Sequence, residues 1–147
     1  MKKSCDNCNK ETPISEYNLV CSVTGHLVKE GYKVRSEVSN MGQSIDLVAT
    51  KNRHITAIEA KKYNWRRALE QCQAHTLVAD YIVLAVAIKK TPTELTEILR
   101  EKGWGLLKYE ATSDSWCWDI KPTRNSNVWQ PQRQRFSADL RKVNYVA

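Results

Sequence analysis

The chain has 147 residues, 41% of them hydrophobic and 27% charged, with a formal net charge of +7. Those proportions are those of one soluble domain with a core of ordinary size. No apolar run approaches membrane-spanning length, and Met1-Lys2-Lys3 leads into polar residues, so neither a membrane span nor a secretory leader is expected and the location is read as cytoplasmic.

Residues 1–12 are polar and aperiodic and read as a flexible tail. Within them Cys5-Asp6-Asn7-Cys8 has the spacing of half a zinc site, and Asn9-Lys10 could finish a knuckle turn. There is no second Cys-x-x-Cys, and Cys21 with His26 would have to supply the other ligands from a helix. Two free thiols are therefore favoured over zinc. Thr12-Pro13 opens a helix, with Glu16 near its positive end, Tyr17, Val20, Cys21, Leu27 and Val28 on its apolar side, and Gly31 as its stop. Residues 32–38 alternate as a strand and 39–43 form a loop. Residues 44–50 and 54–62 are two more strands around a tight turn at Asn52-Arg53.

Asn64 caps a helix that is expected to run to about Ala79. Residues 81–87 are apolar throughout, as in a strand covered on both faces. Thr91-Pro92 starts a helix over 93–102, closed by Gly103, and 104–109 form the last core strand. Beyond Ala111 the pattern weakens to a short strand at 116–118, a polar stretch, and a short helix over 137–143 capped by Ser137. The expected organisation is a tail (1–12), a core domain (13–110) and a basic extension (111–147). The core is α/β, with a mixed central sheet flanked by helices.

Asp46, Glu59 and Lys61 interrupt two strands that should otherwise be apolar. A buried carboxylate is costly without a cation, a hydrogen-bond network or water beside it. With Asn52-Arg53 as the turn, Asp46 falls opposite Glu59, their β-carbons about 5 Å apart. Lys61, two residues on, is expected on that same face about 7 Å along the strand. Two acids and an ammonium on one face suit a divalent metal with a cation beside it, which is hydrolase chemistry. The plain alternative is a salt-bridge ladder on an edge hairpin, where each pair contributes about 0.2–1 kcal/mol.

Glu37-Val38, a loop, Ile45-Asp46-Leu47-Val48-Ala49, Ala57-Ile58-Glu59-Ala60-Lys61 and then Asn64-Trp65-Arg66-Arg67-Ala68-Leu69-Glu70-Gln71 together resemble the PD-(D/E)XK nuclease superfamily. The resemblance covers roughly residues 14–110. Glu-x-Lys alone is common; the weight lies in the order of the elements around it. Ile45 stands where the family's name has proline.

The resemblance implies a restriction-endonuclease-like αβββαβ core and metal-dependent cleavage of nucleic-acid phosphodiesters. By it, Asp46 and Glu59 would hold Mg²⁺ or Mn²⁺, the Ala60 carbonyl would add a ligand, and Lys61 would orient or deprotonate the attacking water. Glu37 is the preferred additional acid, because the 39–43 loop returns the chain beside the hairpin. Other branches take that acid from the first helix, here Glu16 or Glu30. Gln71 matches a helix position that supports the lysine or the phosphate, and its rival Gln73 lies about 200° away around the helix. The chemistry agrees, since Mg²⁺ takes oxygen ligands, often only one or two carboxylates with water and phosphate.

The expected function is a metal-dependent DNA endonuclease, with branched or otherwise structured DNA as a candidate substrate. Lys62, Arg66 and Arg67 near the site, and Arg124, Arg133 and Arg135 in the extension, are the candidate phosphate contacts. The extension also interleaves these cations with Trp129 and Phe136, as single-strand binders do. Junction-resolving enzymes of similar size share the fold and usually work as symmetric dimers, so by analogy a homodimer is expected. The rival readings are a nucleic-acid-binding module without catalysis, or an accessory subunit of a larger DNA-processing complex. No role is assigned to His26, His54 or His75.

Overall fold

The computed structural model describes residues 14–146, so the Cys5-x-x-Cys8 motif and the helix start expected at Pro13 lie outside the described residues. The Ser15 hydroxyl accepts the Asn18 N–H at 3.0 Å and caps α1 (Glu16–Lys29). Gly31, at φ 96°, then turns the chain into β1 (Lys33–Asn40). β1, β2 (Gln43–Lys51) and β3 (His54–Lys61) form an antiparallel meander. Asn52 and Arg53 are both left-handed, at φ 52° and 69°, and set Lys51 opposite His54 as the sequence predicts.

α2 (Trp65–Gln73), capped by the Asn64 side chain, leads to β4 (Tyr81–Val86). α3 (Thr93–Lys102), closed by left-handed Gly103, leads to β5 (Gly105–Glu110), and β6 (Ser115–Ile120) and α4 (Gln130–Leu140) follow. The six strands lie in sequential order, with β3–β4 and β4–β5 parallel and the remaining pairs antiparallel. The fold is the expected mixed α/β sheet flanked by helices.

Two apolar layers hold the sheet. On one face α1 packs Leu19, Val23 and Leu27 over Leu47, Ile58 and Val83. On the other, Ala68 and Cys72 of α2, Leu95 and Leu99 of α3, and Phe136 and Leu140 of α4 pack against Val48, Ala57 and Leu84. β3 and β4 are thus covered on both faces, which explains their nearly continuous apolar sequence.

Two segments differ from the sequence expectation, for tertiary reasons. α2 stops at Gln73, not near Ala79. The Thr76 hydroxyl donates to the Gln73 carbonyl, and the Asn125 side chain donates to the Thr76 and Ala79 carbonyls at 2.6 and 2.9 Å, holding the chain in turns. Residues 111–146, expected as an extension beyond the core, supply the sixth strand and a helix with two buried side chains. That helix begins at Gln130 and ends at Leu140, upstream of the expected span. Arg133 anchors it: its Nη2 lies 2.7 Å from Asp80 Oδ2, and Asp80 also accepts the Ile55 N–H.

A kink runs across β1 and β2. Val34 packs on the α1 side but Val38 on the opposite side, although four residues of regular strand would keep them on one face. Leu47 and Ile45 are split between the two layers in the same way. Between these pairs lie Glu37 and Asp46, and Glu37 takes φ 49°, a left-handed value uncommon for a residue with a β-carbon. The register of β1 on β2 is the same on either side, so both strands change face together. Holding Glu37 there costs about 1–2 kcal/mol. Glu37→Gly is therefore expected to raise the urea midpoint by an amount equivalent to about 1 kcal/mol, where glycine within a strand ordinarily destabilises. An unchanged or lower midpoint would count against strain at this kink.

Candidate active site

Asp46 sits at the kink, half-buried, and its carboxylate accepts the Ala60 N–H at 2.9 Å. Its own N–H points to Glu59 Oε2 at 3.4 Å. The hairpin register extends to Leu47 opposite Ile58, one position short of Asp46 and Glu59. Burial, then the charge of Glu59, push the Asp46 carboxyl up to about 6, against the opposing pull of the Ala60 N–H and Lys61.

Glu59 is fully enclosed on the α2 side of the sheet. Its Oε2 lies 2.8 Å from His75 Nε2, while its Oε1 is buried with no partner. Asn40 Nδ2 reaches the Ala74 carbonyl at 3.3 Å and His75 Nδ1 at 3.4 Å. A carbonyl only accepts, so the Asn40 amide nitrogen must face it, and the same group donates to Nδ1. The ring hydrogen then belongs on Nε2, where it is donated to Glu59. Cys72 is also buried here, and desolvation, then the charges of Glu59 and Asp46, hold its thiol protonated well above the usual range.

Lys61 ends β3 in a cleft of about 580 Å³ on the α1 side, lined also by Glu16, Glu37, Asp46 and Ala60. Its ammonium lies 3.9 Å from the Glu16 carboxylate. The expectation that Asp46, Glu59 and Lys61 share one face therefore changes. Asp46 and Lys61 open onto the cleft, whereas Glu59 is enclosed behind the sheet. Asp46 touches both environments because it stands where the strands change face.

Among the described residues no group of three or more His, Cys, Asp or Glu side chains is arranged to hold a metal. Asp46 and Glu59 are the two acids in contact, and Glu37 and Glu16 also line the cleft. A hard divalent cation is served by one or two carboxylates with water, so the donor chemistry fits Mg²⁺ or Mn²⁺. The unpartnered Glu59 Oε1 is the specific observation in favour, because a buried carboxylate oxygen without a donor is costly.

The other candidates are placed variously. Gln71 is half-buried with its Oε1 unpartnered, while Gln73 is on the outside, accepting from Lys102 at 3.4 Å. Glu30 is at the far end of α1, accepting from the Trp118 indole N–H. Lys62 lies over the Tyr63 ring, and Arg66 makes a two-pronged contact with Glu94 at 2.8 and 3.1 Å. Arg67 and Arg135 are exposed. Arg124 lies 3.7 Å from Asp80 with most of its side chain in solvent, whereas Arg133 is engaged in the structural contact above.

Sequence reasoning assigned nothing to His75 or Asn40. One signal for His75 was available: it falls three residues after Cys72 on the inner stripe of the expected helix, a polar residue on an apolar face. Nothing local marks Asn40.

The sequence matches no family model. No curated protein matches it either. Several solved structures share its architecture. A protein of unknown function from Silicibacter pomeroyi has 17% identity and a TM-score of 0.65, over 89% of this chain and 87% of that one. An XisH family protein from Nostoc punctiforme has 18% identity and a TM-score of 0.52, over 72% of this chain and 98% of its own. An fdxN element excision controlling factor protein from Anabaena variabilis has 19% identity and a TM-score of 0.51, over 70% and 96%. At such identities the likeness speaks to the fold alone. That fold is restriction-endonuclease-like.

Proposed function

We propose that this chain is a metal-dependent endonuclease that hydrolyses DNA phosphodiesters at the Asp46 cleft. The carrying observation is the contact between Asp46 and the buried Glu59, with Lys61 in the adjoining cleft. Asp46 and Glu59 would hold the cation, with Ala60 beside them on the cleft wall, and the Ala60 N–H keeps the Asp46 carboxylate oriented. Bound there, Mg²⁺ or Mn²⁺ supplies a polarised water and a positive charge next to the scissile phosphate. Lys61 would orient the attacking water and offset charge developing on the phosphate oxygens, and Glu16 lies 3.9 Å from the ammonium. Exposed Arg67 and Arg135, with Lys62 nearer the cleft, provide contacts to the phosphate backbone that do not depend on sequence. A solved neighbour named for control of element excision agrees with a DNA-processing setting.

A second reading has its own support. Glu59 is entirely enclosed and already bonded to His75, as a structural charge would be. It makes the chain a DNA-binding module, or an accessory subunit that needs a larger complex for activity.

Incubation with supercoiled plasmid, branched DNA, single strands and RNA, in Mg²⁺, Mn²⁺ or EDTA, separates the two. Cleavage confined to the metal-containing reactions and lowered at least about a hundredfold by Lys61→Ala is the expected result. Cleavage that survives in EDTA or in the Lys61 variant would sink the nuclease assignment. Binding without cleavage by the unaltered chain would favour the module.

A further inference from the structure

A second cleft, of about 470 Å³, lies at the hairpin end of the same sheet face, and its wall is aromatic and basic. Lys51, Thr56 and Tyr81 come from three adjacent strands. Ala49 packs under α1, Lys51 is two residues along from it, Thr56 lies opposite Ala49, and Tyr81 pairs beside Thr56. All three side chains therefore share the α1 face. Tyr32 and Trp118, both packed against the α1-side layer, add two more rings, and Lys121 stands exposed at the rim.

The aromatic wall is held in place. The Trp118 indole N–H donates to the Glu30 carboxylate at 3.2 Å. Lys51 donates to the Glu30 carbonyl at 2.7 Å and lies over the Tyr32 ring, 4.9 Å from its centre. Three half-buried rings with lysines beside them favour a planar group that carries negative charge. The Glu30 carboxylate also lines the cleft; it accepts from the Trp118 indole and lies 3.1 Å from His26 Nε2, while Lys51 and Lys121 supply the positive charge there.

We propose that this cleft binds one unpaired nucleotide of a DNA strand, its base stacked on the aromatic wall and its phosphate met by Lys51 and Lys121. Only an unstacked base exposes the face that such rings need, so the site discriminates single-stranded from duplex segments. Thr56 and Ala60 are four residues apart on β3, which puts this cleft about 13 Å from the Asp46 cleft. Single-stranded or frayed DNA is then the substrate class of the proposed nuclease, and to that extent the inference rests on the nuclease reading. Occupancy of the cleft itself does not need a metal.

Fluorescence anisotropy in EDTA tests it, using the full chain with a labelled fifteen-residue oligothymidylate, a duplex of equal length and free thymidine monophosphate. The unaltered protein is expected to prefer the single strand to the duplex and to hold the monophosphate weakly. Trp118→Ala should weaken single-strand binding about tenfold, and exposed Lys121→Glu severalfold, with duplex affinity unchanged. Trp118→Phe, which keeps a ring, should recover most of the loss. If the Trp118→Ala variant does not fold, the comparison of Lys121→Glu and Trp118→Phe with the unaltered chain decides. Single-strand affinity insensitive to Lys121→Glu, or losses equal on single strand and duplex, would overturn the site, as would absence of single-strand binding. Monophosphate binding as tight as that of the oligonucleotide would overturn the strand assignment and mark a free-nucleotide site. Retained single-strand preference without cleavage in Mg²⁺ would instead remove the nuclease reading and leave the cleft standing.

Discussion

Asp46→Asn is expected to lower Mg²⁺-dependent plasmid cleavage about a thousandfold or more while making the metal-free protein more stable at neutral pH. The two effects have one origin. A carboxylate that helps hold a divalent ion contributes several kcal/mol to stabilising charge in the transition state, and about 4 kcal/mol corresponds to a thousandfold in rate. Without the ion, the same carboxylate is half-buried against Glu59, and its pKa stands near 6 instead of 3.8.

The folded state thus binds this proton more tightly than the unfolded chain does. The contribution to stability is complete below about pH 4 and is lost as pH rises through about 6. At pH 7.5 the ionised Asp46 destabilises the fold by about 1–2 kcal/mol, after allowance for screening at a partly exposed group. The neutral amide removes that cost and can still accept the Ala60 N–H. In EDTA at pH 7.5, Asp46→Asn should melt about 4 °C higher, and the gap should close near pH 4. A gap of the same size at both pH values would show that Asp46 ionisation is not its cause.

His75→Ala is expected to lower folding stability by about 3–5 kcal/mol, the largest effect of any single change considered. Glu59 and His75 are both fully enclosed, and removing the imidazole leaves Oε2 without its principal donor beside an Oε1 that has none. The Asp46 N–H, at 3.4 Å, is too distant to replace it. Joint replacement by apolar residues of similar size, Glu59→Met with His75→Leu, should restore most of the loss, because no charge is then buried. Urea midpoints measured in EDTA distinguish the cases. A double variant no more stable than His75→Ala would mean that the imidazole's packing, not the paired charge, carries the stability.

Much of this molecule could be read from local chemistry. The turn at Asn52-Arg53 set the hairpin register, and with it the approach of Asp46 to Glu59. The apolar run over 81–87 announced a strand covered on both faces, and Asn64 and Gly103 marked helix ends where the fold places them. Each of these signals acts over a few residues, through backbone angles, capping bonds or side-chain period, and so survives in sequence alone.

What the sequence could not determine lies in contacts between distant segments. The period-two argument placed Asp46, Glu59 and Lys61 on one face, but Lys61 at the end of β3 reaches Glu16 of α1, and Asp46 stands at a kink where Glu37 takes a backbone angle few such residues adopt. Asn125 ends α2 from 46 residues beyond Ala79, and Arg35 donates to the Val143 carbonyl 108 residues away. His75 finds Glu59 only because α2 packs on that side of the sheet. By itself the sequence determined the order of elements, the hairpin register and the pairing of two acids near a lysine. Tertiary structure alone decided which acid is enclosed, what bonds to it, and which charges open onto a cleft. A buried charge takes whatever partner packing brings within 3 Å, and packing joins segments that no local pattern connects.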